Sequence, residues 1–283
     1  MLKIFSKIIF YPLYYFDLVL YKLFRKKYLG FLYESIRQNS YTNIEISGKT
    51  VNFFTPNYYT QLRVNTFFSK EPKTLEWIDS FKKGNNIIFW DIGANVGLYS
   101  IYSAIKHNNI SIVCFEPSFN NLPVLSRNLY INDLSNKVKI NQFPLTSTGN
   151  EYMNFKESLF SEGAGLNTFG VNFDHEGKKF NNVNNYTIYG TSINYILDNK
   201  FLDIPDYIKI DVDGIEHLIL EGADKYLSNK KIKSILVEIN NNFIEQKTKC
   251  DRILKGNGFN LVAKESADFD SKSISTYNYI YSK

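Results

Sequence analysis

From residue 87 onward, short runs that are apolar throughout alternate with stretches whose apolar residues recur at spacings of three and four, and this pattern constrains the fold more than any other. The apolar runs are Ile87–Asp91, Ile110–Glu116, Val138–Asn141, Tyr207–Asp211 and Ser234–Asn240. Between them, Leu98–His107, Asn121–Tyr130, Glu216–Leu227 and Phe243–Asn257 carry the helical spacing. Strands apolar on both faces must be covered on both faces, so the alternation predicts βαβ units and a doubly wound, mostly parallel α/β sheet.

Two parts break the pattern. Residues 145–206 are polar and too long for a simple crossover; they predict an antiparallel excursion (Glu151–Lys156, Asn185–Tyr189) and a helix over Ser192–Leu197. The stretch from Phe259 ends in TYNYIY, which predicts an antiparallel C-terminal strand with no helix after it.

Ahead of the sheet, residues 44–55 read as a hairpin around Ser47-Gly48, and a helix opened by Pro72 follows over Glu71–Phe81. The turn-forming cluster Lys83–Asn86 marks a boundary between an N-terminal helical and hairpin extension, 1–84, and a main domain, 85–283.

Charge separates the extension further. Residues 1–27 hold six Lys and Arg against Asp17 alone, and this accounts for the whole net charge of +5. The neutral remainder lacks the basic surface that phosphate backbones demand, which disfavours a nucleic-acid partner. Within the basic segment, residues 8–20 form an apolar stretch of 13 residues that contains Pro12 and Asp17, short of the ~20 needed to span a bilayer. No small-residue cleavage site follows, so it is not read as a secretory signal. Apolar and aromatic residues flanked by cations suit peripheral contact of residues 1–27 with an anionic membrane, each cation contributing about 1 kcal/mol. Cys114 and Cys250 are too few and too far apart for a metal knuckle or a CxxC pair, which fits a reducing, cytoplasmic setting, on the inner face of the membrane if the basic segment attaches there.

The most informative string is FWDIGANVGLYS, residues 89–100, which follows a predicted strand and opens a predicted helix. Gly93, Asn95 and Gly97 do not make the G-x-G-x-x-G of a dinucleotide site, and the missing third glycine argues against an NAD-dependent dehydrogenase. Asn95 is a residue type that tolerates positive φ. Asp91 would repel a pyrophosphate but attract a cationic ligand, and S-adenosylmethionine carries a sulfonium and an ammonium with no phosphate. Glu116 ends the next strand, where an acidic residue accepts hydrogen bonds from ribose hydroxyls.

A second constellation follows the strand at Tyr207. Asp211 and Asp213 flank the turn at its carboxyl end, Glu216 and His217 lie in the next helical turn, and Glu238 precedes Asn240 and Asn241 at the end of the following strand. Methyl transfer requires an aligned acceptor and a group to take its proton. Asp211, Asp213 and Glu238 are candidates, as is His217, whose ordinary pKa lies near neutrality. The bland roles are a helix cap for Asp213, complementing of the helix dipole for Glu216 and simple packing for His217. Three carboxylates at one edge could also bind Mg²⁺, but without a His-rich ligand cluster a required metal is not expected.

DIGANVGLYS, FEPSFNNLPVLSRNLYIND, YIKIDVDGIEHLILEGADKYL and ILVEIN, in this order over residues 87–242, resemble the successive motifs of the FkbM-type methyltransferases. Asp213 stands where that family often has Glu. The resemblance implies a Rossmann-like class I methyltransferase fold and S-adenosyl-L-methionine as cofactor. It places Asp91, Gly93, Asn95 and Gly97 along the methionine side and Glu116 at the ribose. Pro117, Asn121 and Asn128 match family positions behind the loop. The acceptor expected from the resemblance, and from the polar, aromatic insertion 145–206, is a sugar hydroxyl in a surface polysaccharide, lipopolysaccharide or glycolipid. The alternative is a non-catalytic cofactor- or glycan-binding protein, against which the intact carboxylates weigh.

Overall fold

The computed structural model describes residues 2–82, 86–148, 150–181, 184–267 and 275–283, so the boundary expected at Lys83–Asn86 falls largely outside the described residues. Contacts divide the chain into two compact units, Met1–Tyr41 and Thr42–Lys283.

The first unit holds helices α1 (Leu2–Phe24) and α2 (Leu29–Gln38). By length and composition alone, the Ile4–Phe24 part of α1 suffices to cross a membrane, which corrects the reading of this stretch as too short. An uninterrupted apolar run stops at each polar residue, whereas the helix continues through them. Asp17 is 6% exposed, and its carboxylate accepts the backbone N–H groups of Tyr28 and Leu29 that open α2.

The second unit begins with the hairpin β1 (Tyr41–Ile46) and β2 (Lys49–Phe54), turned at Ser47 and Gly48 with φ of +53° and +75°. Helices α3 (Tyr58–Asn65), α4 (Phe67–Lys70) and α5 (Pro72–Asp79) follow. Asn57 and Thr60 cap α3 reciprocally. Hairpin and helices are not a separate extension. Ile46, Val51, Phe53, Trp77 and Ile78 share one buried apolar cluster with Phe89 of the main sheet, and burying each such side chain contributes about 1.5–3 kcal/mol.

The main sheet opens with β3 (Ile87–Ile92), α6 (Leu98–Lys106), β4 (Ile110–Phe115), α7 (Leu122–Ile131) and β5 (Val138–Asn141). The chain then leaves for a small antiparallel sheet of β6 (Glu151–Glu157), β7 (Thr168–Phe169) and β8 (Asn184–Gly190). It returns through α8 (Ile193–Asp198) to β9 (Tyr207–Ile210), α9 (Glu216–Glu221), α10 (Asp224–Leu227), β10 (Ser234–Asn240) and α11 (Ile244–Gly256). Two strands, β11 (Asn260–Ser266) and β12 (Thr276–Ser282), close it where the sequence predicts one. β11 is mostly exposed, so it lacks the apolar signal that reveals a covered strand.

The order is β11-β12-β10-β9-β3-β4-β5, with β3, β4, β5, β9 and β10 parallel and β12 antiparallel to both neighbours. This is a Rossmann-like, doubly wound sheet. Its winding reverses between β3 and β9, and ligands bind such sheets in the crevice outside the strand ends at the reversal.

Candidate functional site

The loop between β3 and α6 has positive φ at three positions: Gly93 (+86°), Asn95 (+51°) and Gly97 (+89°). Gly93 is required by contact as well as by conformation, since a Cβ there would lie 1.8 Å from the Asp211 carbonyl oxygen on β9's end. The loop backbone therefore runs against the end of β9 with no room for a side chain. Gly97 packs against Leu125 and starts α6; it does not reach the crevice.

Glu116 lies just past β4 and is buried. Its carboxylate accepts the N–H of Asn95 at 2.7 Å and of Ser118 at 2.9 Å, with Asn121 Nδ2 at 3.3 Å. Burial pushes its pKa up to about 7, against the lowering by those amides. Asp91, expected in the cofactor wall, is instead fully buried behind it. One of its oxygens accepts from Ser100 Oγ at 2.6 Å, and burial raises its pKa while Lys209 opposes the rise. Asn128 bonds Phe54 N and Val96 O, so it ties the hairpin to the glycine loop and touches no crevice.

The second constellation is organised by a residue that the sequence analysis overlooked. Lys209, 1% exposed, sits in register with Asp91 on β3 and reaches Asp211 Oδ2 at 2.7 Å just past the end of its own strand. It lies over the Tyr99 ring at 4.8 Å. Tyr99 in turn bonds Glu71, which pairs with Lys70 at 2.7 Å. Burial alone would raise the Asp211 carboxyl, but Lys209 and then Lys70 hold it well below the usual range. Glu238 goes the other way: burial, and then the Asp211 charge, push it well above. Asp213 is raised by burial and then by Asp211. Its φ is +64°, and its Oδ2 accepts the Leu166 N–H at 2.7 Å.

Asp211, Asp213 and Glu238 present oxygens within 4.8 Å of one another. Two cavities meet on them. One, of about 130 Å³, is bordered by Gly93, Asn95, Glu116 and Pro117, with Phe143, Leu145 and Phe155 at its apolar side. The other, of about 670 Å³, is bordered by Tyr59, Phe67, Tyr99 and His175. Arg63, Lys70, Asp211, Asp213 and Glu238 belong to both walls. His217 belongs to neither: it is buried between Phe173 and Phe243, and burial, then Lys249, lower its pKa. Glu216 has a structural role, its carboxylate accepting the Val212 and Gly214 N–H groups and closing the turn that carries Asp213.

The polar lining of the smaller cavity, which opens into the larger one at the shared carboxylates, fits S-adenosylmethionine. Asn95 Oδ1, Asn167 Oδ1 and Thr168 Oγ1 are buried in its wall without a protein partner, and a polar ligand with hydroxyl and amino groups satisfies such atoms.

Arg63, Lys70, Glu71, Asn167, Thr168 and Lys209 were absent from the sequence-based candidates. Lys209 had a signal, as a single cation inside the strand YIKI. The others come from α3, α4 and the insertion, whose proximity to the sheet edge no local pattern records.

The Methyltransferase FkbM domain family matches residues 91–261. "Methyltransferase sdnD" of Sordaria araneosa is 31% identical over 197 residues, covering 60% of this chain and 73% of that protein. Among solved structures, precorrin-6y C5,15-methyltransferase of Geobacter metallireducens is similar with a TM-score of 0.44 at 15% identity, over 75% of this chain and 86% of that one. The C-terminal domain of the Rhodobacter capsulatus enzyme of that name gives 0.43 at 14% identity, over 76% and 89%.

Proposed function

This chain belongs to the FkbM family of S-adenosylmethionine-dependent methyltransferases, and from that premise we propose that it methylates a sugar hydroxyl of a surface polysaccharide, lipopolysaccharide or glycolipid. The larger cavity is the observation that supports this reading. It combines the exposed ring of Tyr59, suited to stacking on a pyranose face, with Asp213 and Glu238 as polar groups at the junction.

Asn95 and Glu116 would hold the ribose, the Phe143–Leu145–Phe155 side the adenine, and ionised Asp211 the cationic end. When bound, the cofactor supplies an electrophilic methyl group on a cationic sulfur. This chain's residues do the rest. Lys209 keeps Asp211 ionised, Glu238, whose carboxyl is shifted upward, orients the acceptor oxygen, and Asp213 takes the hydroxyl proton. Environments that push neighbouring carboxyls apart in pKa assign them these different roles.

Calorimetry with S-adenosylmethionine, S-adenosylhomocysteine and NAD tests the cofactor. Labelled methyl transfer to glycans, set against amine and carboxylate acceptors, tests the acceptor. The expected product is an alkali-stable methyl ether on sugar. Label confined to amines or carboxylates would refute the sugar assignment, and binding of NAD alone would refute the cofactor.

A further inference from the structure

Helix α1 carries large apolar residues that its own unit does not cover. Ile4, Phe5, Ile8, Ile9, Phe16 and Val19 are between 53% and 67% exposed. At 3.6 residues per turn, Phe5, Ile9, Pro12, Phe16, Val19 and Leu23 fall on one stripe along the helix. The opposite side carries Lys7, Tyr14 and Tyr21 interspersed with Phe10 and Leu18, and Lys22 lies at the border between the two sides. Just past the helix, Arg25 and Lys27 lie over the Tyr21 ring at 5.8 and 5.6 Å, so the cations gather on the polar side. Asp17, flanked by half-buried Leu13 and Leu20, is taken up by the start of α2 and leaves the apolar stripe free.

We propose that α1 lies in the plane of an anionic bilayer, its Phe5–Leu23 stripe among the acyl chains and Lys7, Lys22, Arg25, Lys26 and Lys27 at the headgroups. The helix is long enough to span, but Asp17 pins α2 seven residues before its end, about 10 Å along the axis. A spanning α1 would draw that carboxylate and the α2 N-terminus into hydrocarbon, whereas an in-plane helix keeps both at the water boundary. A second copy of the chain would also cover the stripe, but two segments of +5 repel each other, whereas anionic lipid attracts them.

The test is flotation of the full chain with sealed vesicles of phosphatidylcholine, alone or with phosphatidylglycerol, and of the variant I9D/F16D. Both substituted side chains are exposed, so the variant is expected to melt at the parental temperature. The parent should float with the phosphatidylglycerol vesicles and stay bound at high salt, and the variant should lose at least tenfold in partitioning. Complete release by salt, or equal flotation of the two, would overturn immersion of the stripe. Dimerisation without flotation, abolished in I9D/F16D, would make the stripe a protein interface. Protection of the N-terminus inside the vesicles would mean a spanning helix.

Discussion

The ammonium of Lys209 lies 2.7 Å from the carboxylate of Asp211, on a strand walled off from solvent on both faces. Asp91, in register one strand away, acts on the same cation through space. Within this triad it is Lys209, joined by Lys70, that holds the Asp211 carboxylate ionised at the mouth of two cavities.

Removing the cation leaves carboxylates without compensation. Lys209→Met should cost about 3–5 kcal/mol in urea unfolding, the usual result of breaking one side of a buried ion pair. The double variant D91N/K209M should recover part of that loss, because it removes one of the stranded acids. Parental stability in K209M would refute the triad.

Asp213 and His217, the two candidate bases, should separate kinetically. Asp213→Asn should lower kcat about 10²–10⁴-fold with cofactor affinity retained, as loss of a general base does. His217→Gln should leave kcat within a few-fold of the parent, because His217 lies outside both cavity walls. In the parent the rate should fall as pH drops through the raised Asp213 pKa and level off above it. A larger rate loss in H217Q than in D213N would transfer the base to the imidazole.

Stability should depend on pH with a definite sign. Glu116 and Glu216 titrate near 7 in the folded chain against 4.5 for a free side chain. Between those values the folded state holds more protons than the unfolded one, so the stability from these groups is full below about 4.5 and lost as pH rises through 7. His217, held below 6.5, acts in the opposite direction, but two carboxyls outweigh one imidazole. The melting temperature without cofactor should therefore be higher at pH 5.5 than at 7.5, and Glu116→Gln should flatten the difference. A melting temperature that rises from 5.5 to 7.5 would contradict it.

Gly93→Ala should abolish cofactor binding in calorimetry and lower the melting temperature. The new Cβ would meet the Asp211 carbonyl oxygen at 1.8 Å, so the loop and β9 must separate. The strain of a left-handed alanine adds about 1 kcal/mol. Unchanged binding would show that the crevice does not depend on this approach.

The parallel strands and the glycine loop were legible in the chain because their signals are local. Strands covered on both faces are mostly apolar, and left-handed turns favour Gly and Asn, as at Gly93 and Asn95. Glu116, Asp211 and Glu238 were legible because strand ends at a sheet's reversal are set by the same periodicity. Tertiary structure decided the rest. It set Asp91 behind the crevice against Ser100 and Lys209, and it buried His217 between two phenylalanines. It also brought Arg63 and Lys70, from the hairpin side of the chain, to the carboxylates of β9 and β10. Whether a charge faces a ligand, a counter-ion or a core depends on which remote segments pack beside it, and that distance in sequence leaves no periodicity to read.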